Sequence, residues 1–131
     1  MGARSFYRGI SHLNILHSDI QGFEAQLLEG AKDAFENALI DYFFVSTQSQ
    51  LLHQSVTSEL VRLGYRVEVS SDYDNDTTSY DGFVFASSPQ AKQIFSDFKH
   101  FGRARIASAD ADNLVQAVLK ARRHVVSAAA P

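Results

Sequence analysis

Asp19, Gln21 and Glu24 stand close together in the stretch His17-Ser18-Asp19-Ile20-Gln21-Gly22-Phe23-Glu24. A carboxylate and an amide at this spacing can hold a hydroxyl-bearing ligand in place, and placement alone drives many transfer reactions. Asp19 can also take a hydroxyl proton as a general base. The same carboxylate can instead cap the turn that follows, and composition does not separate the two readings. Glu24 reads as a helix-start residue, because its charge there meets the helix dipole favourably. A second polar group, Thr47-Gln48-Ser49, follows the next apolar run. It either lines the same crevice or is ordinary loop polarity.

The elements around these residues decide where they sit. Leu13 to Leu16 read as a buried strand, extended to Ile20, and Gln26 to Leu39 as a helix. Leu27, Leu28, Ala31, Ala34, Phe35 and Ala38 form its apolar face at helical spacing. Gly22 permits the turn between strand and helix. Ser18, Asp19 and Gln21 therefore fall at the carboxyl end of a strand, just before a helix. In open α/β sheets ligands bind at that edge. Ile40 to Ser46 is a continuous apolar run, which predicts a strand covered on both faces. Leu51 to Leu63 repeats the helical pattern and Gly64 stands at its C-cap. Arg66 to Ser70 alternates as a peripheral strand does. A polar loop, 71–79, then leads to a strand over Gly82 to Ala86, close enough to return antiparallel. Pro89 predicts a helix running to about His100, with Ile94, Phe95 and Phe98 on one face. Gly102 to Ala107 is a weak strand or a loop. Ser108 or Asp110 can cap a last helix bearing Leu114, Val115, Val118 and Leu119, and the tail from Ser127 frays.

Other chemistry is largely excluded. The 131 residues include no cysteine, so disulfides, thiolate nucleophiles and cysteine-ligated zinc are out. Asp72, Asp74 and Asp76 alternate, but an EF-hand loop would need glycine where Thr77 stands and glutamate where Phe83 stands. A solvated acidic loop fits better. His12 and His17 would point to opposite strand faces, and His53, His100 and His124 lack partners at ligand spacing, which predicts surface or helix-face positions and no metal. The formal charge of −3 argues against nucleic acid. No apolar run approaches the roughly 20 residues of a spanning helix, and the N-terminus has no signal-peptide core. The expected location is cytoplasmic, with no membrane partner.

The word Asp19-Ile20-Gln21-Gly22-Phe23-Glu24, the Leu27-Leu28-Gly30-Ala31 helix, Thr47-Gln48-Ser49, the Leu60-to-Tyr65 helix end and Tyr80-Asp81-Gly82-Phe83-Val84 occur in series. Together they resemble the FkbM-type S-adenosylmethionine-dependent methyltransferases over roughly residues 12 to 89. Gln48 stands where many members have histidine. The resemblance implies the C-terminal half of a methyltransferase-like domain. Its fold would be α/β: a partial doubly wound, Rossmann-like sheet, mostly parallel, with a C-terminal antiparallel hairpin strand and helices on both faces. It implies O-methyl transfer to a small-molecule or sugar hydroxyl. Asp19 and Gln21 would be the catalytic residues, and Ser18, Gly22, Glu24, Thr47, Gln48 and Ser49 would lie near substrate or cofactor.

The glycine-rich turn and the acidic residue that hold the cofactor in such folds have no counterpart before Leu13. The expected organisation is therefore an irregular segment over 1–11, the half-domain over 12–89 and a helical extension over 90–131. A half-domain would leave the Leu13 strand with an unpaired edge, a liability that proteins cover. Residues 1 to 12, the C-terminal segment, a second copy or a separate chain would cover it, so the expected partners are a second copy or a complementary N-terminal half, besides the small-molecule acceptor. A non-catalytic remnant that binds or dimerises is the other reading.

Overall fold

The computed structural model describes residues 11–77, 80–98 and 101–128. Strand β1 (Leu13–Ser18) is followed by helices α1 (Glu24–Gly30) and α2 (Lys32–Glu36). Strand β2 (Ile40–Thr47), helix α3 (Gln50–Arg62) and strand β3 (Arg66–Ser71) follow, and β4 (Gly82–Ser87) closes the sheet. Two helices, α4 (Arg103–Ser108) and α5 (Ala111–Ala128), come last. The expected irregular segment 1–11 lies almost wholly outside the described residues.

The sheet runs in the order β1-β2-β4-β3. β1 and β2 pair in parallel, while β4 is antiparallel to both β2 and β3. The sheet is thus mixed, with one parallel pair among three, rather than mostly parallel. The antiparallel return of β4 was legible in the short loop before it, although β4 inserts between β2 and β3 instead of extending the sheet. β3 lies at an edge, as its alternation suggested.

Helices α1 to α3 all lie on one face, contrary to the expectation of two covered faces. Leu28, Phe35, Val56 and Leu60 form one cluster with Phe43, Val45, Val84 and Ala86. Topology explains this. The parallel strands β1, β2 and β3 advance in one direction across the sheet, and right-handed crossovers in one direction fall on one face. Phe35 meets Phe43 and Tyr65 edge-on at 5.2 Å, and the Tyr65 hydroxyl donates to the Ile40 carbonyl at 2.5 Å. Burial pushes Tyr65 up to about 12, against the pull of that hydrogen bond.

The opposite face carries an aromatic row. Tyr42 stacks on Phe85, Phe44 lies against Phe83, and His17 against Phe44. The β2 run is therefore apolar on both sides but helix-covered on only one. β1 is not a buried strand either: it occupies the other edge, and Ile15 is 59% exposed.

Two expected elements differ. The single helix over Gln26 to Leu39 is two short ones, broken at Ala31 just after Gly30, the poorest helix former of the stretch. The helix expected after Pro89 is absent from the described part of 89–98, where the chain is irregular. Glu68 accepts hydrogen bonds from the Ile94 and Phe95 amides at 2.9 and 2.8 Å, and the Phe95 ring meets Phe85 edge-on. Those contacts replace the intrahelical ones. The 102–107 segment, expected as strand or loop, forms the N-cap (Gly102) and most of α4, while Asp110 caps the start of α5 by accepting the Asn113 amide at 2.8 Å. The frayed tail lies mostly outside the described residues.

Candidate functional site

The turn from β1 to α1 shows why its residue types stand where they do. Gln21 and Gly22 both take positive φ, 59° and 98°, so the chain reverses within two residues. Glycine adopts this freely, whereas glutamine does so at a cost of about 1–2 kcal/mol. Glu24 holds the strained turn shut. It is fully buried, and its Oε1 accepts the Ile20 amide at 3.2 Å. Glu24 is thus a helix-start residue, though one that reaches back into the turn rather than out to solvent.

Asp19 stands exposed at the end of β1 and accepts a hydrogen bond from the Gln48 amide at 3.2 Å. Of the two alternatives for Gln48, the contact brings its side chain to the end of β1. Gln21 and Gly22 are exposed beside it. Ser18 is buried one residue earlier. Its Oγ and Glu24 Oε2 are buried without a hydrogen-bond partner among the described residues. Such orphaned atoms are rare and mark a site where stability has been given up.

Thr47 and Ser49 do other work. Thr47 is fully buried and shares a 2.8 Å hydrogen bond with His53 Nδ1. Ser49 caps α3, accepting the Leu52 amide on its Oγ at 3.1 Å. Of the second polar group, only Gln48 meets Asp19.

His53 corrects the sequence reading. It is buried, and its Nε2 lies 2.8 Å from Ser70 Oγ, so one imidazole ties β2, α3 and β3 together. Burial lowers its pKa, against the opposing pull of Asp72 and Asp76. The signal was present in the spacing: His53 precedes the buried Val56 and Leu60 by three and seven residues, on the same helical face. Among the described residues no carboxylate hydrogen-bonds the ring, and the arrangement there is a hydroxyl–imidazole–hydroxyl pin.

The acidic loop is likewise built from its own side chains. Asp72 Oδ1 accepts the Asn75 and Asp76 amides at 2.7 and 2.9 Å, and its Oδ2 accepts from Gln50 at 3.2 Å. Burial opposes ionisation there, but these bonds outweigh it and hold Asp72 at about 2. Among the described residues no group of three or more His, Cys, Asp or Glu side chains is placed to hold a metal ion. His12 pairs with Asp41 at 2.9 Å, and His17 lies against Phe44. His100 and the His124 side chain lie outside the described residues. A separate groove of about 420 Å³ between α4 and α5, lined by Phe101, Arg105 and Asn113 among others, shares no residue with this rim.

The carboxyl ends of β1, β2 and β3 are therefore joined by side-chain bonds into one polar rim. Its exposed members are a carboxylate and amides, groups that orient a ligand.

No protein-family model, curated protein or solved structure matches the chain. Any functional reading must stand on the rim and on the residue words. No described helix is long and apolar enough to cross a membrane.

Proposed function

We propose that the chain is the C-terminal half of a Rossmann-like methyltransferase domain, similar to the FkbM type, and that its rim serves O-methyl transfer to a small-molecule or sugar hydroxyl. The observation that carries the reading is the Asp19–Gln48 contact. It joins two of the resembling words at the carboxyl ends of adjacent parallel strands, where such folds bind ligands. The antiparallel pairing of β4 with β3 supports it further, because the resemblance implies a C-terminal antiparallel hairpin strand.

S-adenosylmethionine fits the rim only in part. Carboxylate and amide groups for an acceptor are present, whereas the glycine-rich turn and ribose-binding acid have no counterpart among the 131 residues. The bound cofactor would supply an electrophilic methyl group. Asp19, braced by Gln48, would hold the acceptor hydroxyl and take its proton on a carboxylate oxygen. Gln21, fixed in a strained turn, would supply a second polar contact.

A half-domain that binds or dimerises without catalysis is the second reading. The aromatic face left without helices favours it. Isothermal titration of S-adenosylmethionine into the 131-residue chain separates the two. Binding near micromolar strength, about −8 kcal/mol, lost or weakened in Asp19→Ala, supports a cofactor site at the rim. No heat at millimolar ligand leaves the second reading.

A further inference from the structure

Two apolar surfaces stay partly open among the described residues, and the regions that carry them differ in charge. One surface is the sheet face opposite α1 to α3. The 92–98 segment lies over part of it, with the Tyr42 hydroxyl donating to the Lys92 carbonyl at 2.8 Å and Phe95 meeting Phe85 edge-on. Phe44 and Phe83 stay half-buried there and Ile15 is 59% exposed. The other is the stripe of α5, where Val115, Val118 and Leu119 are 54%, 68% and 41% exposed. Residues 12–98 hold four Lys and Arg against thirteen Asp and Glu, a net charge of −9. Residues 101–131 hold five against two, a net charge of +3. The body is thus acidic with a partly open aromatic face, and the last helices are basic with an exposed aliphatic stripe.

We propose that the chain forms a two-fold dimer in which α5 of each copy lies on the aromatic face of the other. The sizes match. Eighteen residues of helix span about 27 Å. The sheet is four strands wide, about 14 Å across at the usual strand spacing, and the 92–98 segment takes up its β4 side, so the helix would lie along β1 and β2. One such contact alone falls short of the roughly 800 Å² per partner of a standard interface, and reciprocal exchange doubles it. The two regions brought together carry net charges of opposite sign, which steers association. A membrane surface would also accept a basic amphipathic helix, but it would leave the open part of the aromatic face uncovered and would repel the acidic body. A second copy satisfies both surfaces and both charges. The inference does not depend on the methyltransferase reading.

Light scattering and sedimentation of the full chain test it. The expected mass is twice the 14.5 kDa of one chain, with association weakening as salt is raised. Val118→Asp on the helix and Ile15→Lys on the sheet face are both exposed positions, so circular dichroism should show each variant folded. Each should raise the dissociation constant by roughly tenfold or more, as a charge in a desolvated apolar contact does. Mixing the two variants is the decisive arm. The helix of the Ile15→Lys chain is intact and so is the face of the Val118→Asp chain, so the mixture should recover part of the dimer. A monomeric wild type overturns the proposal, whether or not it binds vesicles of anionic phospholipid. So does a dimer lost in Val118→Asp but kept in Ile15→Lys, which would mean helix-to-helix pairing. The converse pattern, meaning pairing at the β1 edge, overturns it equally.

Discussion

His53 and Ser18 show how differently two buried polar residues can be treated by their surroundings. His53 has a hydroxyl on each ring nitrogen, yet burial still lowers its pKa. The folded state therefore binds fewer protons at this residue than the unfolded state does. Stability is then complete above the ordinary histidine value of 6.5 and falls as the pH drops below it towards the depressed native value. Urea unfolding between pH 5 and 7.5 should show this slope in the wild type and a flatter one in His53→Phe. The same variant should lose about 1–3 kcal/mol at pH 7.5, because Thr47 Oγ1 is left buried without its partner. Ser18 is the opposite case. Its hydroxyl is buried and unbonded among the described residues, so Ser18→Ala removes a desolvation cost without removing a bond. That variant should melt at the wild-type temperature or up to a few degrees above it, a gain of at most about 1 kcal/mol. A clear loss of stability would show that the hydroxyl has a partner after all. Asp19, Gln21 and Gly22 stand exposed at the strand end where turn chemistry put them, whereas Gln48, left open between crevice and ordinary loop, is half-buried and meets Asp19. The place of His53 was not legible, because a histidine within an apolar stripe carries no local mark of what it will touch across the sheet.

At the scale of elements, patterns with strong periodicity predicted well and patterns decided by distant contacts did not. The α3 stripe of Val56, Leu60 and Leu63 and the glycine behind it located a helix and its end within a residue or two. Its start depends on Ser49, whose Oγ accepts the Leu52 amide. Ser49→Ala should cost about 1 kcal/mol in thermal or urea unfolding, and Ser49→Asp should restore most of it by accepting the same amide. Should Ser49→Ala instead abolish ligand binding at unchanged stability, the capping role would be secondary. The segment after Pro89 failed to form the expected helix because Glu68, on a strand remote in sequence, captures the Ile94 and Phe95 amides. Short-range propensity gives way to such pairing. Gly82 shows the same dependence on distant chain. A Cβ there would lie 2.8 Å from both the Ser71 carbonyl and Thr47 Oγ1, a closeness set by strands on either side.

Across the whole molecule, the direction of winding explains both what is covered and what is left open. Because β1, β2 and β3 advance one way, their helices share a face, and the aromatic face and the outer edge of β1 remain. Sequence patterning showed each strand as apolar but could not show which face a crossover would cover, since handedness acts on strand order and not on composition. Among the described residues only β2 pairs with β1, and the Leu13 amide donates to the Leu39 carbonyl on that side at 2.8 Å. Alternation along a strand then directs the Ile15 and His17 amides towards β2 and the Asn14, Leu16 and Ser18 amides outward. Hydrogen exchange resolved by residue should therefore find Ile15 and His17 protected, and Asn14, Leu16 and Ser18 fast. The central strands β2 and β4, paired on both sides, should be the slowest of all. Association through the aromatic face leaves this alternation in place, because it covers side chains without supplying ladder partners. Uniform slow exchange along β1 would mean instead that another strand completes the sheet there, and the candidate site at its carboxyl end would then be flanked by residues from that strand.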